Sequence, residues 1–272
     1  MRDPRCGWVA PTIDQRKRAL QKAQREAGDS ILANVVAALA SDNSGLTCNL
    51  NQGPLGSCQS NGPAQAMYMA MIKAGIPAFV LARLWLYYAI RYIEGNVSQD
   101  VGGNIGDAYR ILAANGVPDE KYYPYDVSKF AVWPGPTVDQ KAFDSRGIID
   151  INYHPISSVD DVLLSDVEKA STAVFGVVFG HTVSEEFCQT QPNGTIHTPK
   201  SGSKVGGGHC QVVVGHDRQN QRFKVKNSWS DDWGDPTAGP GCWWMGYDYF
   251  LDSTWGASDC WIVLTVPSGV SQ

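Results

Sequence analysis

The sequence predicts an α+β chain in which a helical N-terminal lobe faces a β-rich C-terminal lobe across a cleft. Three observations carry that reading. In the first half, apolar residues recur at three- and four-residue spacing, as at Met67, Ala70, Met71 and Ala74, the mark of a buried helix face. In the second half they gather into short β-branched and aromatic runs at 174–179, 211–215, 223–226, 242–245 and 260–266, separated by turn residues. Between the two textures, residues 126–144 contain Trp133-Pro134-Gly135-Pro136, a loop-like crossover between lobes. A chain of 272 residues is enough for one large domain or for two such lobes, with a core that needs no staples.

In chain order, Thr12 and Gln15 fit a capping box, and 15–26 is built of strong helix formers with few apolar residues before Gly28. That segment is expected to be an exposed surface helix, with a short propeptide or a docking arm for a partner as the other readings. A second helix is expected over 31–40. Next comes Gln52-Gly53-Pro54-Leu55-Gly56-Ser57-Cys58, a glycine-bearing loop leading into the apolar run 64–74, so Cys58 falls at a loop-to-helix junction. Pro63 lacks an N–H and clashes with the carbonyl four residues back, so a kink is expected in the first turns of that helix. Further buried helices are expected over 81–93 and over 105–114, the latter closed by Asn115-Gly116.

A formal charge of −5 gives no electrostatic reason for a nucleic-acid partner. The most apolar stretch, 64–93, is broken by Lys73, Gly75, Pro77 and Arg83, so no membrane partner is expected. No signal peptide is visible in residues 1–8. The seven cysteines, 6, 48, 58, 188, 210, 242 and 260, are therefore expected to be reduced; in an oxidising compartment six of them have 15 pairings open. No histidine and cysteine cluster has zinc spacing, so no metal or other cofactor is expected.

A nucleophilic cysteine needs its thiolate, and a helix N-terminus with unpaired N–H groups favours it. Two downstream segments supply partners: Gly206-Gly207-Gly208-His209-Cys210-Gln211, and Val225-Lys226-Asn227-Ser228-Trp229. His209 and Asn227 follow Cys58 by 151 and 169 positions. In that order and near that spacing, the three segments resemble the papain-like cysteine peptidases, whose histidine and asparagine lie roughly 130 to 150 residues beyond the cysteine. Gly102-Gly103, the helix after them, and Tyr122-Tyr123-Pro124-Tyr125 extend the resemblance, which covers about 34–266.

The resemblance implies a two-lobe fold, with residues 1–33 a helical extension and 34–272 the peptidase domain. Within it, a helical lobe spans about 45–135 and a β-barrel lobe about 140–268. It implies Cys58 as nucleophile, His209 as acid and base, Asn227 orienting His209, Trp229 covering that bond from water, and Gln52 in the oxyanion hole. Gly102 and Gly103 would pair with the substrate backbone, and Ile105 and Cys210 would line an apolar pocket for the second residue before the cut. His181 and His216 fit no motif and are read as structural. The partner is then a peptide or protein, and the location cytoplasmic or virion-associated, as in microbial and viral branches.

The sequence also departs from the family. Leu55 stands where many members carry a second cysteine, so that family disulfide cannot form. Gln59 replaces the usual aromatic after the nucleophile. With Pro63, this leaves an alternative, a papain-fold structural or binding component, for example of a viral particle, with little or no turnover.

Overall fold

The computed structural model describes residues 5–7, 9, 32, 34–156 and 160–267. The helix expected over 12–28 lies outside them. The helices are α1 (Cys58–Lys73), α2 (Arg83–Ile93), α3 (Ile105–Asn115), α4 (Pro136–Ser145), α5 (Asp160–Thr172), α6 (Glu185–Gln189) and α7 (Tyr247–Leu251). The strands are β1 (Ala40–Asp42), β2 (Ile149–Pro155), β3 (Val177–Ser184), β4 (Thr195–Ile196), β5 (Val205–Asp217), β6 (Arg222–Lys226), β7 (Cys242–Gly246) and β8 (Asp259–Pro267).

Helix α1 organises the molecule. It packs on α2 and α3 on one side and on β5, β8 and β3 on the other. A helix between two lobes has no free face, and from Cys58 to Met67 every residue is buried. Close approach to the sheet explains Gly62, where a Cβ would stand 2.9 Å from Cys210 Sγ. The helix continues through Pro63 to Lys73. Pro63 is the sixth residue of the helix, so only the bond to the Gln59 carbonyl is forfeited.

Helix α3 begins at Asn104, whose side chain accepts from the Gly106 and Asp107 amides. It ends at Gly116, whose φ of 84° and contact with the Ala142 carbonyl leave no room for a Cβ. The strands form one sheet in the order β2-β8-β3-β5-β6-β7-β4, with β1 added on β5. All pairs are antiparallel except β4 with β7. The sheet curls without closing, since β2 and β4 remain its ends. One apolar cluster joins the lobes through Met67, Trp85, Val178, Val212 and Trp261; a second fills the β lobe around Phe179, Phe223, Trp243 and Phe250.

Two expectations fail here. Among the described residues of 31–40 there is no helix: residues 35–38 carry no regular structure and Ala40 opens β1. Tertiary partners outweigh local propensity there, because Ala38 N–H donates to Thr172 Oγ1 and Leu39 accepts from Arg218 N–H. The 126–144 crossover is not all loop, since Pro136 is the first residue of α4, where its missing N–H costs nothing.

Candidate active site

Cys58 is the first residue of α1, after Ser57, and is fully buried. Its Sγ lies 3.9 Å from Gln59 Oε1. A Cβ on Gly103 would stand 3.2 Å from Gln59 Nε2, so the residue that departs from the family pattern neighbours both Cys58 and Gly103.

His209 sits on β5 and Asn227 just beyond β6. His209 Nε2 donates to Asn227 Oδ1 at 2.9 Å. The acceptor is the amide oxygen, because the Ser228 N–H also donates to it at 2.8 Å. The proton of neutral His209 is thus held on Nε2, and Nδ1 carries the lone pair. Trp229 stacks on the His209 ring with centroids 4.7 Å apart and is itself buried. The indole therefore covers one face of the His209 ring.

Gln52 is fully buried and held at both ends. Its backbone N–H donates to Ser228 O, and its Oε1 accepts from Ser228 Oγ at 2.6 Å. That orients Nε2, which donates to Leu55 O at 2.7 Å and to Arg5 O at 2.9 Å. One amide hydrogen is therefore structural and the other meets a carbonyl oxygen from the N-terminal segment.

Residues 5–7 and 9 of that segment lie against Gln52, Gly56, Gly102 and Gly103. The Gly103 N–H donates to Gly7 O at 2.9 Å and Val9 N–H to Gly103 O at 3.0 Å, the pattern of parallel pairing. Gly7 passes so near Gly56 that a Cβ on it would overlap the Gly56 carbonyl, and a Cβ on Gly102 would overlap the Gly7 carbonyl. Gly102, at φ 83°, also needs glycine for its backbone. The Arg5 guanidinium lies 4.1 Å over the Trp229 ring and donates to the Cys188 carbonyl at 2.6 Å. The chain thus runs from Gln52 towards Gly103.

A polar network behind the cleft went unread in the sequence. Tyr125 OH donates to Gln52 O at 2.9 Å and accepts from Ser57 Oγ at 2.6 Å. Asn61 Nδ2 donates to Ser57 O, and Arg83 Nη1 donates to Asn61 Oδ1 at 2.8 Å. Glu120 accepts from two Arg83 nitrogens at 2.7 and 2.8 Å. One chain of contacts therefore ties Gln52 and the residue before Cys58 to a nearly buried guanidinium. Tyr125 belongs to the Tyr-Pro-Tyr turn, the one sequence signal that pointed towards it.

Of the remaining expected residues, Ile105 and Cys210 are both buried in the inter-lobe core, at the start of α3 and beside His209. Burial, and then the neighbouring Cys58, push the Cys210 thiol well up, so it stays protonated. His181 stands across the β3–β5 ladder from His209 and its Nε2 donates to Gln211 Oε1 at 2.9 Å. Burial, with His209 adding to it, pushes its pKa down to about 3 and keeps it neutral. Among the described residues no helix is long and apolar enough to cross a membrane.

Cys58 thus heads the helix that packs on β5, the strand that carries His209, and His209 is paired with Asn227. Residues 40–239 match the family model described as papain family cysteine protease. An uncharacterized peptidase C1-like protein of Acanthamoeba polyphaga mimivirus is 32% identical over 222 residues, spanning 80% of this chain and 70% of the viral one. The fold is similar to that of xylellain, a cysteine protease from Xylella fastidiosa, with TM-score 0.82 at 24% identity over 97% of both chains. It is also similar to digestive procathepsin L 3 of Tenebrio molitor larval midgut, with TM-score 0.65 at 20% identity over 90% of this chain and 74% of that one. The chain belongs to the papain family of cysteine proteases.

Proposed function

We propose that this protein hydrolyses peptide bonds through a thioester on Cys58. The thiol proton passes to His209, the thiolate attacks the carbonyl carbon, and the imidazolium returns a proton to the leaving amine; water then cleaves the thioester. Asn227 holds the His209 tautomer and ring plane that this exchange requires. Gln52 Nε2, beside the Cys58 N–H, receives the oxyanion. Gly102 and Gly103 pair with the substrate backbone, and Ile105 and Cys210 give the adjoining pocket an apolar wall.

The observation that carries this reading is the Gln52 amide, fixed by Ser228 and Leu55 so that its second hydrogen meets a carbonyl oxygen. A substrate held on Gly103 by the residue before the scissile one runs from Gly103 towards Gln52. Residues 5–7 and 9 run the opposite way, so they lie across the cleft as a strap and are not presented for cleavage. The strap must leave before a substrate enters. The docked residues 5–7 and 9 therefore favour an inhibitory role for the extension over a free surface helix.

Mass spectrometry of a peptide library tests the proposal on the full chain, on a form lacking residues 1–10, and on that form with Cys58→Ala. Cleavage is expected to be fastest without the strap and absent with Cys58→Ala. No cleavage by the strapless form would leave the structural or binding component as the reading.

A further inference from the structure

We propose that Cys6 and Cys188 form a modification site: exchange with a small-molecule disulfide such as oxidised glutathione joins them and locks the strap across the cleft. The inference rests on the reading of that cleft as the peptidase site. The two sulfurs are 3.6 Å apart in a thiol–thiol contact, 182 residues apart in sequence, and both side chains are buried. Cys6 belongs to the strap and Cys188 to α6 on the β lobe.

The position of Cys6 is set from both sides. Before it, the Arg5 carbonyl accepts from Gln52 while the guanidinium is held by Cys188 O and Trp229. After it, Gly7 and Val9 pair with Gly103. On the other side, Cys188 Sγ is backed by Gly206, where a Cβ would come within 2.9 Å. Each closure of the strap therefore returns one thiol to the other at high effective concentration. The sulfurs need approach by only roughly 1.5 Å to reach bonding distance.

The exchange balances without a further oxidant. With the strap lifted, the Cys6 thiolate attacks one sulfur of oxidised glutathione, forming a mixed disulfide and releasing one glutathione thiolate. On closure the Cys188 thiolate attacks the Cys6 sulfur and expels the second. Two electrons pass from the protein thiols to the glutathione disulfide, and the two thiol protons end on the two glutathiones. The hydrogen-bonded strap opens and closes; the bonded strap stays until a thiol reductant reverses the exchange.

The test uses the full chain carrying Cys58→Ser, so that the nucleophile does not compete for the reagent. After incubation with oxidised glutathione, peptide mapping without reduction is expected to find the Cys6 and Cys188 peptides joined. Hydrogen exchange at the Gly103 and Val9 amides is expected to slow by about tenfold or more and to recover with dithiothreitol. Adding Cys6→Ser, or separately Cys188→Ser, is expected to remove both responses. Failure to find the joined peptides overturns the proposal, as does a joined pair that leaves amide exchange unchanged. Neither readout involves turnover, so a strapless enzyme that fails to cleave peptides sinks the peptidase reading and leaves this one standing.

Discussion

Replacing Gln52 by alanine removes its side-chain bonds to Ser228 Oγ, Leu55 O and Arg5 O and, on the proposed mechanism, the donor to the oxyanion; the last two losses act on activity in opposite directions. Loss of the donor to the oxyanion raises the barrier by about 3 kcal/mol, a roughly 100-fold to 1,000-fold fall in kcat. The same hydrogen meets Arg5 O in the closed molecule, and a neutral bond of that kind is worth about 1 kcal/mol net, so the open fraction rises about fivefold. In protein lacking residues 1–10, Gln52→Ala should therefore lower kcat/KM by the full factor. In the full chain the fall should be about fivefold smaller, because the substitution also loosens the strap. Steady-state rates on a fluorogenic peptide with the four proteins form a double-mutant cycle that isolates the coupling. Equal falls in both backgrounds would refute the strap contact; no fall in either would show that the oxyanion is held elsewhere.

Two other residues give independent predictions. Tyr125→Phe keeps the ring but unties Gln52 O from Ser57 Oγ; kcat should fall by roughly tenfold with KM little changed, while the urea midpoint drops by an amount equivalent to about 1 kcal/mol. A midpoint shift without a change in kcat would make the tyrosine merely structural. His181 has a folded pKa of about 3, against 6.5 for the free side chain. Between those values the unfolded chain binds a proton that the folded chain refuses, so stability falls as pH drops, by about 2 kcal/mol from pH 6 to pH 4.5. His181→Phe should remove that share of the pH dependence in urea unfolding, and an unaltered dependence would contradict it.

The helical lobe was legible because Met67, Ala70 and Met71 repeat at helical spacing, and the His209–Asn227 pair because its order after Cys58 and its neighbours form a motif. The strap was not. Nothing local in Arg5-Cys6-Gly7 announces a partner, and its fit depends on Gly56, Gly102 and Gln52, nearly 50 residues or more away in sequence. The Arg83–Asn61–Ser57 network was missed because a polar residue inside a helix gives no clue to its bonding partner 22 positions on. Helix α5 was there to be read, since Leu163, Val167 and Ala170 keep a helical stripe. The 31–40 segment misled for the opposite reason: Leu32, Ala33, Ala37 and Ala38 favour a helix locally, but residues 40–42 pair with Gly215, His216 and Asp217 of β5.

On the proposed mechanism Cys58 is a thiolate made by His209 at a helix N-terminus, and such a thiolate stays reactive in mild acid. Burial pushes the Cys48 thiol up to about 12 and Cys242 to about 11, with Cys210 and Cys260 also raised, so none of these competes at pH 5. A catalytic thiol has its pKa lowered into the range of about 3.5 to 7.5. With folded protein lacking residues 1–10, iodoacetamide at pH 5 should label Cys58 well ahead of Cys48, Cys188, Cys210, Cys242 and Cys260. The full chain should label more slowly, and His209→Ala should abolish the preference. Labelling of Cys58 no faster than the other cysteines in the folded strapless protein would show that His209 does not hold it as a thiolate.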